Sequence, residues 1–207
     1  MNLCKDKLKI AVLVSGGGTN LQAIIDNIHN GYLDGAEIVR VISSNPSAYA
    51  LQRAADNGIK GVCISKKLWP DPEIHCQKLL EELENAGSEL IVLAGYMSIL
   101  HPRIVDKYRN RIINIHPSLI PKYCGMGFYG ERVHKAVIEN KEKISGATVH
   151  YVDEGVDTGD IIVQEQVPVM EDDTPETLAK RVLVVEHRIL PAAIKMFIDA
   201  KCRQEGQ

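Results

Sequence analysis

The sequence has no C-x-x-C pair, no block of like charge and no uninterrupted apolar run of about 18 residues. Each absence removes a class. Without a long apolar run, no membrane span is expected. The formal net charge of -3, with no basic or acidic tail, makes nucleic acid a poor candidate for the main partner. A small anion needs only a local site and stays open. The five cysteines, Cys4, Cys63, Cys76, Cys124 and Cys202, are odd in number and scattered. That argues against a disulfide framework or a zinc ribbon and suits a reducing, cytoplasmic setting. The opening "MNLCKDKLKIAVLVSGGG" lacks a small-residue cleavage pattern and reads as a first strand, not a signal peptide. There is no internal repeat and no linker rich in Pro, Gly or Ser. The 207 residues, 45% hydrophobic and 25% charged, are therefore expected to form one domain, 1–207, with a core of normal proportions.

What is present is an alternation of strand-length apolar runs with helix-period stretches. Strands are expected at Lys9–Ser15, Glu37–Ser43, Gly61–Ile64, Leu90–Gly95 and Arg111–His116. Helices are expected at Leu21–Asn30, Tyr49–Asn57 and about Asp71–Ala86. "LIVLAG" is apolar throughout, as a strand covered on both faces should be. Such alternation calls for right-handed crossovers and a mainly parallel, Rossmann-like α/β sheet flanked by helices. After Gly130 the pattern changes. A helix at Glu131–Glu139 precedes two strands, Ala147–Val152 and Asp160–Pro168, close enough to form an antiparallel pair. A last helix, with Thr174 as N-cap and Pro175 at its first position, is expected to reach about Lys201, bent or interrupted near Pro191.

Strand one hands over to its helix through "VSGGGTNLQAII". Free N–H groups and the dipole at a helix start favour phosphate, and glycines let backbone approach it. The same residues also read as a tight turn capped by Thr19 or Asn20. A Walker loop would need a Lys after its glycine. A dinucleotide fingerprint would need a third glycine near Leu21 and an acid where "SSNP" ends strand two. A monophosphate fits better than NAD.

"INIHPSLIP" places an amide and an imidazole in an apolar strand. Strand side chains alternate, so Asn114 and His116 share a face, and Pro117 ends the strand just beyond them. A hydrogen-bonded core pair and a ligand-facing pair are both readings of this stretch. "VDEGVDTGD" adds four carboxylates, Asp153, Glu154, Asp157 and Asp160, in a loop that could be only a solvated turn. A carboxylate reaching His116 would favour its imidazolium, and a cationic His beside an Asn donor suits a developing oxyanion. No G-x-S-x-G elbow is present, no H-E-x-x-H, and no ligand set around His116, so acyl transfer without a protein nucleophile or metal is the chemistry these parts suit.

In this order and spacing, "VSGGGTNLQAIID", "LAGYMSIL", "INIHPSLIP" and "HYVDEGVDTGDIIVQ" resemble the phosphoribosylglycinamide formyltransferases, a folate-dependent formyltransferase family. The likeness runs from about Lys9 to about Phe197. It implies transfer of the formyl group of 10-formyltetrahydrofolate, a co-substrate, to the amine of glycinamide ribonucleotide in purine biosynthesis. It implies Asn114, His116 and Asp157 as the catalytic trio. Gly18, Thr19 and Asn20 correspond to the segment that holds the ribotide phosphate, and Glu186 to an acid that helps hold the ribotide. Met97, Ser98, Ile99 and Leu100 correspond to the segment lining the pterin pocket. Some members carry an arginine before the third helix for the folate's glutamate tail. This chain has Pro72 there, so the contact is lost or passes to Lys66 or Lys67. "KYCGMGFYGERVH" reads as a mobile flap or an irregular connection, its three glycines favouring the flap.

Two other readings are kept. A formyltetrahydrofolate deformylase would give the formyl group to water, but such enzymes usually add an N-terminal domain, for which a strand starting at Lys9 is expected to leave no room. A Rossmann-like binding module without chemistry would account for the glycine turn but not for Asn114 and His116. A monomer and a homodimer are equally compatible with the sequence.

Overall fold

The computed structural model describes residues 6–205. Its element order is β1 (Leu8–Val14), α1 (Thr19–His29), β2 (Ala36–Ser43), α2 (Tyr49–Asp56), β3 (Gly61–Cys63), α3 (Pro72–Asn85), β4 (Leu90–Leu93), α4 (Pro102–Lys107), β5 (Ile112–His116), α5 (Glu131–Glu139), β6 (Ile144–Tyr151), β7 (Ile161–Pro168) and α6 (Pro175–Glu205). The strands form one sheet in the order β3-β2-β1-β4-β5-β6-β7. Pairs from β3 to β5 are parallel, while β6 runs antiparallel to both β5 and β7. The chain leaves β1 toward β2 and β3, then crosses back to place β4 on the other side of β1. That reversal of strand order opens a crevice beyond the carboxyl ends of β1 and β4, where open α/β sheets bind ligands.

Strand β1 shows why the middle of the sheet reads as unbroken apolar sequence. Ile10, Val12 and Val14 enter the core shared with α1, α2, α5 and α6, whereas Ala11 and Leu13 enter the one shared with α3 and α4. Both faces are covered, so period-two side chains are apolar at every position. Helix α3 starts as its sequence directs. Asp71 accepts from the Glu73 and Ile74 N–H groups, and Pro72 sits at the first helical position.

Three details depart from the sequence reading. Helix α4 was not anticipated. At six residues it is too short to show a period, although His101 accepts the Arg103 N–H and Pro102 opens it. Helix α6 is not interrupted at Pro191 but continues to Glu205. Leu190, Ala193 and Ile194 are fully buried around the proline, and that packing outweighs a penalty of about 3 kcal/mol. Among the described residues Cys63, Cys76 and Cys124 are free thiols, whereas Cys202, near the end of α6, is disulfide-bonded. Among the described residues no helix is long and apolar enough to cross a membrane.

Candidate active site

A cavity of about 700 Å³ opens at the carboxyl edge of the sheet. Leu93, Met97, Leu100, Val105 and Val152 make one end apolar, while Asn20, Glu186 and Lys180 line another part of the wall. Asn114, His116 and Asp157 all line it.

Strand pairing explains the arrangement of the polar groups. Asn114 lies opposite His150 and His116 opposite Thr148 in the β5–β6 ladder, so facing side chains share one face. The Asn114 Nδ2 atom is 3.1 Å from His150 Nε2 and 3.4 Å from Asp157 Oδ1. His150 Nδ1 lies 2.7 Å from the Tyr151 carbonyl. A carbonyl only accepts, so Nδ1 carries the hydrogen, and Nε2 is the nitrogen that meets the Asn114 amide. Asn114 therefore presents its N–H side toward His150 and Asp157.

Asp157 sits in the β6–β7 loop with φ 57°, a left-handed conformation unusual for a residue with a side chain. One carboxylate oxygen accepts the Gly125 N–H at 2.9 Å and lies 3.6 Å from His116 Nδ1. Burial pushes this carboxyl up. His150, His116 and the Gly125 N–H outweigh burial, so Asp157 titrates below the usual carboxylate range. The other acids of the loop are engaged elsewhere or exposed. Asp153 accepts from Gly155 and Thr158, Glu154 pairs with Arg109 at 2.5 Å, and Asp160 faces solvent.

His116 requires a correction. A carboxylate does stand close, yet the imidazolium is not favoured overall. Burial pulls His116 below the usual histidine value, and the opposing pull of Asp157 and the Tyr123 carbonyl is too weak to restore it. In the free protein His116 is held toward its neutral form. Its Nε2 lies 2.9 Å from the Tyr123 carbonyl, which places the hydrogen there and leaves Nδ1 toward Asp157.

Elsewhere on the cavity, Asn20 Nδ2 donates to Glu186 Oε2 at 2.6 Å, a buried bond between α1 and α6. Burial raises the Glu186 carboxyl and Asn20 opposes it. Asn20 Oδ1 is buried without a partner. Met97, Ser98, Ile99 and Leu100 all line the cavity, and the Met97 N–H is held by Ser15 Oγ at 2.8 Å. Gly18 and Thr19 do not line it. Gly18, at φ 72°, packs against α2, where a Cβ would stand 2.6 Å from Ala50 Cβ. Gly16 and Gly17 face open space, and no side chain caps the start of α1. The α1 N–H groups thus remain available beside Asn20. Pro72, Lys66 and Lys67 do not line the cavity either.

Sequence reasoning missed His150 and His134. His150 carries the signal that revealed His116, a lone polar residue in an apolar strand, and could have been found. His134, on the apolar face of α5, resembles an ordinary core residue. It lines the cavity, and burial, with a smaller contribution from His116, brings its pKa down to about 4. Among the described residues no cluster of three or more His, Cys, Asp or Glu could hold a metal ion.

Residues 8–194 match the formyl transferase family. The chain is 44% identical, over 99% of its length, to the trifunctional purine biosynthetic protein adenosine-3 of Drosophila pseudoobscura pseudoobscura, of which it spans about 15%. It is 40% identical to phosphoribosylglycinamide formyltransferase of Haemophilus influenzae, over 94% of this chain and 89% of that protein. The crystal structure of glycinamide ribonucleotide transformylase 1 from Symbiobacterium toebii superposes with a TM-score of 0.87 at 41% identity, covering 94% of this chain and 89% of that one. An α/β sheet reversed between β1 and β4, with an amide, an imidazole and a carboxylate gathered at its carboxyl edge, thus accompanies a match over nearly the whole chain: this protein belongs to the formyl transferase family.

Proposed function

We propose that the chain transfers the formyl group of 10-formyltetrahydrofolate to the amine of glycinamide ribonucleotide. The observation that carries this reading is the convergence of Asn114, His116 and Asp157 on a cavity with an apolar end and a separate polar wall. The pterin would occupy the apolar end between Met97 and Leu100. The ribotide would lie by Asn20 and Glu186, its phosphate on the free N–H groups at the start of α1. Holding two substrates in line removes much of the entropic barrier.

The amine nitrogen attacks the formyl carbon, forming a C–N bond and placing negative charge on the formyl oxygen. An Asn114 N–H donates to that oxygen. The growing charge raises the proton affinity of His116, which is near neutral at rest. Nδ1 takes the proton lost by the amine, through water ordered by Asp157, and the imidazolium faces the oxyanion. The proton then passes to N10 of the folate as the old C–N bond breaks, so one proton leaves one nitrogen and reaches another.

The test follows formyl loss from 10-formyltetrahydrofolate with and without glycinamide ribonucleotide. Loss only in the presence of the ribotide, with formylated ribotide as product, is expected. Equal loss without it would overturn the reading in favour of hydrolysis, and no loss in either case in favour of binding without chemistry.

A further inference from the structure

The tautomer of His116 is set from outside the catalytic trio. Its Nε2 is 2.9 Å from the carbonyl of Tyr123, a residue with φ 53°. A non-glycine residue keeps that conformation only when its surroundings hold it. Here the Tyr123 hydroxyl donates to Glu142 Oε1 at 3.0 Å, and Lys122 Nζ reaches the same oxygen at 2.9 Å. The ring packs edge-on against Phe128 with centroids 6.0 Å apart, and Ser118 Oγ donates to the Lys122 carbonyl at 2.7 Å. Glu142 lies beyond α5 and is not a residue of the cavity wall.

We infer that Tyr123 is a positioning residue: anchored on Glu142 through its phenol, it aims its carbonyl at Nε2 and so keeps Nδ1 of His116 as the nitrogen that faces Asp157 and the reacting atoms. This deepens the transferase reading and rests on it for the role of His116. The anchor matters because a histidine free to move its hydrogen to Nδ1 would present a donor where the reaction needs an acceptor. The titratable groups facing His116 are Asp157 from the β6–β7 loop, His150 from β6 and His134 from α5.

The test compares wild type with Tyr123→Phe and Glu142→Ala. Long-range proton–nitrogen correlation spectra of the imidazoles, assigned with His116→Gln, report the tautomer without any turnover. The expected wild-type signal is a single Nε2–H form, and both variants should show a mixture. Their kcat should fall about tenfold with KM nearly unchanged. The acid limb of the kcat profile should move to lower pH, because the lost carbonyl contact favoured the imidazolium. Glu142→Ala removes the acceptor of the phenol from a partly exposed position and keeps the test usable if Tyr123→Phe folds poorly. An Nδ1–H wild type, or variants that keep one Nε2–H form and an unmoved limb while only melting earlier, would overturn the inference. If the chain proves inactive toward the ribotide, the spectra still decide it.

Discussion

Asp157 reaches His116 and the Gly125 N–H with the same oxygen, at 3.6 Å and 2.9 Å. One carboxylate therefore stands against the imidazole and docks the glycine-rich segment that follows β5. Its remaining oxygen is 3.4 Å from the Asn114 amide and 3.5 Å from His150. Four groups from three segments depend on its position.

Replacing His116 with Ala should lower turnover by at least about 100-fold, the scale of losing an oxyanion donor. Asp157→Asn should be similarly severe. The double variant should cost little more than the worse single one, because the groups act together. Steady-state rates of all three variants check this, and additive losses would count against a shared role.

Glu186→Gln should weaken ribotide binding by roughly 10- to 100-fold, the worth of a hydrogen bond to a charged group. It should also stabilise the free protein at high pH. The Glu186 carboxyl is raised by burial, so its ionisation opposes folding as pH rises through the folded value. The gain in the variant should shrink as pH falls. Titration calorimetry and melting curves across pH read both effects.

Gly18→Ala should destabilise the chain by about 1–3 kcal/mol. The new methyl would meet Ala50 at 2.6 Å, in a backbone conformation that side chains resist. Displacing the start of α1 should also raise the KM for the ribotide more than that for the folate. Equal stability and unchanged KM would show that this turn is not tightly packed.

Asp173 accepts two bonds from Arg181, at 2.6 and 2.9 Å, with further bonds from the Met170 N–H and Thr177. Arg181 is the main cause that holds this carboxyl well below its ordinary range. A depressed folded value adds stability that is complete above the unfolded value, about 4, and is lost as pH falls through the folded one. Arg181→Gln should thus unfold earlier in urea at pH 7, with the gap to wild type closing toward pH ~2. A gap independent of pH would argue that Arg181 acts only by packing.

The sequence carried the succession of elements because local patterns encode it: strand-length apolar runs for β1 to β5, a cap for α6, and glycines where the chain turns. It also placed Asn114 and His116 on one face, since strand geometry alone requires that. It hid α4, whose six residues are too few for a period, and its spacing left open which acid of "VDEGVDTGD" mattered, the resemblance alone choosing Asp157. The structure distinguishes Asp157 because Asp153 is taken up by its own turn and Glu154 by Arg109.

The proton state of His116 lay wholly beyond the sequence. A nearby carboxylate raises a histidine pKa and burial lowers it, so the sign of the result depends on how completely the fold strips water from the ring. Only the assembled sheet, α5 and the Tyr123 segment determine that. Local periodicity is written along the chain, whereas desolvation and the distance to a charge belong to groups that meet only after it has folded.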